Sequence, residues 1–391
     1  GREELPGTSM VDLTTDEAGE VLKNSFRKGF EYSDCWVMDS RLVVLNAIDA
    51  REKGAEIHTR LPLVSASRDD GIWNLELFDK KTNTPYSVKA KTLINASGPW
   101  LDGTMEHISH CKTSEHIRMV KGSHIIIRKL FDHERSYIFQ NADGRIIFAI
   151  PYEREFTMIG TTDQDFHGNP GEVAISEEEI HYLCQAASEY FVDDIKPEDV
   201  VSHFAGIRPL FDDGKSEAKA ATRDYVLKID TGSKGGEAPL LSIYGGKITT
   251  YRKLAESVIE KLAPFLQEKK GPWTETENLP GGDFRPAEFE KELQNFTEEY
   301  PFFDKTAAYR LFRLYGTRVW KMFEAVNEQA DLGDDFGSGL FGVEVDYLIE
   351  QEWAKSAEDI LWRRTKLGLH TSSKESDVLE EYVKKKILAE G

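Results

Sequence analysis

The segment Tyr244-Gly245-Gly246-Lys247-Ile248-Thr249-Thr250-Tyr251-Arg252 follows the apolar run 239–244 and leads into Leu254, Val258, Ile259, Leu262 and Phe265 at helical spacing. An apolar strand, a glycine turn and an amphipathic helix in that order make a β-turn-α unit. The two glycines let the backbone approach a flat ring or a phosphate closely, and the amides that follow lie at a helix N-terminus, where partial positive charge accumulates. Lys247 projects at that junction. Taken alone, the segment is also satisfied by a glycine turn with a solvated lysine and capping threonines, so its meaning depends on what surrounds it.

Working outward, Gly206-Ile-Arg208-Pro-Leu210 and Thr222-Arg223-Asp224-Tyr225 bring two arginines to the approach of that junction. Arginine suits a phosphate because its planar fork donates two parallel hydrogen bonds and stays ionised. Asp212, Asp213 and Asp224 are competing partners in an acidic chain. Asn95-Ala96-Ser97-Gly98-Pro99-Trp100 closes an apolar strand with small residues, which again permits close backbone approach to a ligand. Gly122-Ser123-His124 opens a long strand, and a histidine there can exchange protons near neutral pH, although a lone histidine is more often structural. A literal G-x-G-x-x-G at Gly337, Gly339 and Gly342 follows a polar acidic loop rather than an apolar strand, so it is read as a connection between helices.

The remaining pattern predicts several segments. Strands are expected at 57–59, 64–68, 72–78, 86–90 and 92–96, with a helix over 39–54 before them. Longer β-rich runs at 123–128, 136–140, 145–152 and 156–162 suggest an antiparallel sheet, and Ser176-Glu-Glu-Glu179 is a capping-box start for one helix. After linker signals in 269–286 the chain is helical, with candidates at 304–325, 343–354, a capped start at Ser356 and 377–389.

Composition narrows the function. The chain has 391 residues, too many for one ordinary core,. With 49 basic against 69 acidic residues its formal charge is -20, which disfavours nucleic acid,. Local cationic patches at Lys384, Lys385 and Lys386 or at Arg363 and Arg364 leave peripheral membrane contact open, but a solvated helix face is the simpler account of both. No apolar run reaches the roughly 20 residues needed to span a bilayer. Cys35, Cys111 and Cys184 form no C-x-x-C and no zinc-like cluster; no metal site and a reducing compartment follow, with Cys184 a small core residue,.

Together, FEYSDCWVMDSRLV at 30–43, INASGPW at 94–100, MVKGSHIII at 119–127, GTTD at 160–163, AGIRPL at 205–210, ATRDY at 221–225 and YGGKITTYRKLAE at 244–256 carry a family resemblance, extended by DLGDDFG at 331–337 and LWRRTKLG at 361–368. In order and spacing the chain resembles the FAD-dependent aerobic glycerol-3-phosphate dehydrogenases over nearly its whole length. The resemblance implies an α/β plus α+β fold: a partial FAD-binding domain of the glucose-inhibited/D-amino-acid-oxidase type (1–108, returning at 206–268), an antiparallel-sheet substrate domain (109–205) and a helical C-terminal domain (269–391). It implies oxidation of sn-glycerol 3-phosphate to dihydroxyacetone phosphate, with electrons passing from FAD to quinone. It also implies a cytoplasmic protein lying peripherally on the inner-membrane surface.

By matching motif, Arg208 and Arg223 bind substrate, Arg223 at its phosphate, and Lys247 lies beside the reacting alcohol. His124 or Lys247 takes the hydroxyl proton; His124 is the better base and Lys247 the group that polarises the oxygen, but the sequence leaves both open. Ala96, Ser97, Gly98, Gly245, Gly246, Ile248 and Thr249 line the flavin together with Lys247, and the strand near 62–64 meets the adenine side. Family members open with a βαβ unit carrying the Gly-rich diphosphate loop, and the match begins inside that pattern, so an expressed fragment that holds FAD poorly is expected. Its uncovered sheet edges favour a homodimer or aggregation. Two alternatives stand beside this: a flavin oxidoreductase of the same superfamily acting on an amine or amino acid, and an inactive fragment serving as an interaction domain.

Overall fold

The computed structural model describes residues 5–111, 115–212, 224–232, 236–266 and 271–389. The chain divides into two compact units: Gly1–Cys35 with Arg60–Pro272, and Trp36–Thr59 with Trp273–Gly391.

The first unit begins with a two-stranded antiparallel ribbon, β1 (Ser9–Asp12) and β2 (Lys28–Glu31). The chain then contributes α1 (Asp39–Glu52) to the second unit before returning. β3 (Leu63–Asp69), β4 (Ile72–Asp79) and β5 (Thr84–Ala90) form an antiparallel meander, anchored by Trp73, whose Nε1 donates to the Pro239 carbonyl at 3.0 Å. β6 (Leu93–Asn95) is followed by the short α2 (Leu101–Glu106).

A six-stranded sheet is built on β7 (Ile117–Arg128), with β8 (Tyr137–Gln140), β9 (Ile146–Tyr152), β10 (Phe156–Gly160) and the short β11 (Gln164–Asp165). These run in the order β11-β7-β10-β9-β8, and β12 (Val200–Phe211) pairs with the other edge of β7, all antiparallel. One face is closed by α3 (Glu177–Ser188): Ile125, Ile127, Ile147, Ala149 and Ile159 pack against Leu183, Cys184, Ala187 and Phe191. Successive residues of a strand face opposite ways, so this core takes the odd-numbered side chains of β7 and leaves Gly122 and His124 on the other face. The capping box at Ser176 and Glu179 is present as expected. Burial pushes the Cys184 thiol up to about 11, as befits an inert core residue,. β13 (Val226–Asp230) and β14 (Leu240–Tyr244) join β6 in a separate three-stranded sheet, and α4 (Tyr251–Leu262) follows β14.

The second unit is helical: α5 (Phe289–Glu299), α6 (Lys305–Tyr315), α7 (Arg318–Met322), α8 (Gly342–Glu352) and α9 (Ser373–Ala389) pack around Phe296, Phe312, Val319, Val345, Leu348, Ile360 and Leu379. The run 304–325, expected as one helix, is broken at Gly316, whose φ is +54° and whose missing Cβ would lie 1.9 Å from the Gly281 carbonyl oxygen. No strand forms at 57–59, and α1, placed by sequence in the first segment, belongs to this unit. There α1 buries Val44 and Ile48, buried Arg41 binds buried Glu352, Arg318 Nη1 donates to Glu52 at 2.8 Å, and the Arg51 guanidinium lies 4.7 Å over the Trp353 ring.

Candidate active site

Local sequence and sheet pairing meet where β6 and β14 lie parallel, with Leu93 opposite Leu240 and Asn95 opposite Ser242. Parallel strands offer ligands the crevice beyond their carboxyl ends, and the loops leaving these two ends are Ala96-Ser97-Gly98 and Gly245-Gly246-Lys247. Buried Asn95 organises the first loop: its Oδ1 accepts from the Ser97 hydroxyl at 2.6 Å and the Ser97 amide at 3.3 Å, while its Nδ2 donates to the Leu101 carbonyl. Thr104 donates a further hydrogen bond to the Ser97 hydroxyl.

The second loop turns through Gly245 at φ +72° and Gly246 at φ +110°, a region L side chains rarely adopt,. A Cβ on Gly245 would stand 3.4 to 3.6 Å from Asp224 O, Phe211 N and Pro209 O, so the turn lies against the end of β12. Lys247, Ile248 and Thr249 are exposed, and no ion pair of the Lys247 side chain is seen among the described residues. Both loops therefore present bare backbone and small side chains at strand ends, a cradle that fits a flat ring.

The second part of the site is the open face of β7. His124 lies between Gly160 of β10 and Phe204 of β12, its ring stacked on Phe204 with centroids 4.8 Å apart. Gly160 makes room for it, because a Cβ there would fall 2.1 Å from His124 Cδ2. Burial, with the Arg208 charge second, lowers the imidazole from 6.5 to about 4, so it is neutral at physiological pH,. Its Nδ1 is buried without a partner, which leaves Nε2 as the nitrogen a proton can reach.

Arg208 occupies the space that a side chain on Gly122 would need: its Nη2 is 2.6 Å from that Cβ position. The same Nη2 donates to Thr161 Oγ1 at 3.1 Å, and Nη1 lies 3.4 Å from Asp163 Oδ1. The structure thus brings His124 and Arg208 together on one face, and places the two small-residue loops, at Gly98 and Gly245, beside Pro209 and Phe211 near the end of β12. Arg223 lies outside the described residues. Thr161, Asp163 and Phe204 were not singled out by sequence; the GTTD motif was the available signal, but only the fold shows that it holds Arg208.

A family model described as FAD dependent oxidoreductase matches residues 2–252, and one described as the C-terminal domain of alpha-glycerophosphate oxidase matches residues 272–386. The chain belongs to the FAD-dependent oxidoreductases. Within that family it is 48% identical to a glycerol-3-phosphate dehydrogenase of Pseudomonas aeruginosa over 98% of this chain and 73% of the relative. It is 43% identical to a D-erythritol 1-phosphate dehydrogenase of Brucella abortus over 98% of this chain and 76% of that protein. The fold matches the crystal structure of a Bacillus halodurans glycerol-3-phosphate dehydrogenase complexed with FAD, with a TM-score of 0.76 at 24% identity, covering 96% of this chain and 78% of that one.

Of the cations considered for membrane contact, Lys386 pairs with Asp346, Lys384 with Glu380 and Arg363 with Asp359 at the surface, and Arg364 donates to the Glu352 carbonyl. No helix of the described residues is long and apolar enough to cross a membrane, and no metal-holding cluster of His, Cys, Asp or Glu occurs among them.

Proposed function

We propose that this chain oxidises sn-glycerol 3-phosphate to dihydroxyacetone phosphate, with FAD as immediate acceptor and quinone as the next. The observation that carries this is the neutral, half-buried His124 beside Arg208 on a sheet face cleared by Gly122 and Gly160. A phosphorylated alcohol needs both a cationic site for its phosphate and a base for its hydroxyl.

FAD, when bound, supplies the two-electron acceptor for the hydride from C2. Ala96, Ser97, Gly98, Gly245, Gly246, Lys247, Ile248 and Thr249 would hold it, the glycines by bare backbone and Ser97 by a hydroxyl oriented through Asn95. Arg223 binds the phosphate and Arg208 adds a second cationic contact. His124 Nε2 accepts the C2 hydroxyl proton, and a phosphate dianion near Arg208 offsets the charge that helps hold this imidazole acidic, making it a stronger base once substrate is in place,. Lys247 polarises the carbinol oxygen.

The 43% identity to an erythritol phosphate dehydrogenase supports a second reading, oxidation of a longer polyol phosphate by the same groups. Anaerobic bleaching of the flavin-loaded enzyme by each phosphate decides between them: the true substrate bleaches the flavin with the higher kcat/KM. Bleaching by an amine or amino acid but by neither phosphate would refute both. Peripheral docking at the inner-membrane surface and homodimerisation belong to the same proposal. Vesicle co-sedimentation and light scattering test them.

A further inference from the structure

We propose that Glu179, on the opposite face of the sheet from the substrate, is a positioning residue that locks His124 and Arg208 in register; this rests on the substrate-site reading above. Glu179 is only 2% exposed, unusual for a carboxylate at the N3 position of a helix, where a capping box needs one oxygen and leaves the other in water,. Here Oε2 accepts from the Ser176 amide at 2.9 Å and from Lys121 Nζ at 2.7 Å. Oε1 accepts from the Ser123 hydroxyl and the Thr162 hydroxyl, both at 2.9 Å.

Those donors sit where the β-ladder is interrupted. β10 ends at Gly160 and β11 starts at Gln164, so Thr161, Thr162 and Asp163 leave the regular pairing with β7. Thr162 Oγ1 takes the place of a ladder partner, accepting from the Ser123 amide at 2.9 Å. With Thr162 pinned backward to Glu179, Thr161 and Asp163 are presented forward to Arg208. With Ser123 pinned, the next residue, His124, is held against Gly160. One carboxylate therefore fixes both halves of the substrate face, and Lys121 supplies its counter-charge. The donors outweigh burial and keep the group below its ordinary range, so it stays ionised.

The test is a set of variants in the flavin-loaded enzyme, with His124→Asn and Arg208→Ala measured beside them. A capping role alone is served equally by glutamine, whereas Glu179→Gln sets an amide NH2 among donors and leaves Lys121 without its counter-charge. The proposal expects Glu179→Gln to lower kcat/KM about tenfold or more with little change in Tm, since small displacements of reacting groups are costly. Ser123→Ala, which removes only the strap to the histidine strand, should lower kcat more than it alters KM. Thr162→Val, which frees the Thr161-Asp163 hold on Arg208, should chiefly raise KM. If Glu179→Gln leaves kcat and KM within about twofold of the parent, or if the losses in all three variants follow Tm alone, the proposal is overturned. If His124→Asn and Arg208→Ala are themselves silent, the substrate-site reading falls and this proposal with it; if they are damaging while Glu179→Gln is silent, only this proposal falls.

Discussion

Gly160→Ala should disable the proposed base without replacing it. The substitution adds one methyl whose carbon would stand 2.1 Å from His124 Cδ2, 2.6 Å from Nε2 and 2.7 Å from Cγ. Ordinary carbon contacts need about 3.5 to 4.0 Å, so the imidazole must retreat by roughly 1.5 Å. Gly160 does not occupy the positive-φ region, so the backbone accepts alanine there, and the partly exposed Phe204 ring can yield with the histidine. Overpacking of this kind costs about 1–3 kcal/mol of stability. The chemical step suffers more, because a displacement of about 1 Å can cost on the order of a hundredfold in rate, or about 2.7 kcal/mol in activation free energy. Arg208 rests over Gly122 rather than Gly160, so KM should move by less than about threefold. Stopped-flow measurement of anaerobic flavin reduction at saturating substrate reads the rate directly, with circular dichroism confirming the fold. A folded variant that reduces flavin within about threefold of the parent rate would refute the assignment of His124 as base.

Three further outcomes are expected. Gly246→Ala forces an alanine to φ +110° and against Leu254 Cδ1 at 3.2 Å; it should cost about 1–3 kcal/mol and reduce FAD retained after gel filtration. His124 is held near 4, below its unfolded value of 6.5, so the unfolded chain takes up the proton first: stability is full above about pH 6.5 and falls as pH drops toward 4,. His124→Asn should flatten that fall in urea titrations, and Arg208→Ala, by removing a neighbouring positive charge, should raise the histidine's pKa in an NMR titration. In the helical unit, Glu352→Gln leaves the buried Arg41 cation without its counter-charge and should destabilise by about 3–5 kcal/mol, whereas the pair Arg41→Met with Glu352→Leu should restore much of the loss,. Denaturation followed by tryptophan fluorescence checks both.

Local features were legible because their causes are local. The strand, glycine pair and helix of 244–262 need only an apolar run, two residues free to take positive φ and a helical period. The Ser176 capping box was visible for the same reason, as was the antiparallel character of 117–160. What a buried face packs against was not legible. The apolar and charged residues of 39–54 announce a helix, but its partners, seen in the ion pairs Arg41–Glu352 and Arg318–Glu52, come from the C-terminal helices far along the chain. The break at Gly316 depends on a carbonyl from Gly281, 35 positions earlier.

For the site, the sequence by itself determined the inventory: His124, Arg208, Lys247 and the small-residue loops at 96–98 and 245–246 all stand in motifs. The tertiary structure decided the assembly. Pairing Asn95 with Ser242 brings two distant loops to one crevice, and pairing His124 with Gly160 and Phe204 desolvates a half-buried imidazole, beside the Arg208 charge, enough to keep it neutral. Likewise, Glu179 reads in sequence as a helix cap; only the folded sheet shows its second oxygen bonded to Ser123 and Thr162 behind the face that carries His124 and Arg208. The physical reason is common to all three: residue type and period are properties of neighbours along the chain, whereas desolvation, charge coupling and hydrogen-bond closure depend on contacts that chain order does not encode.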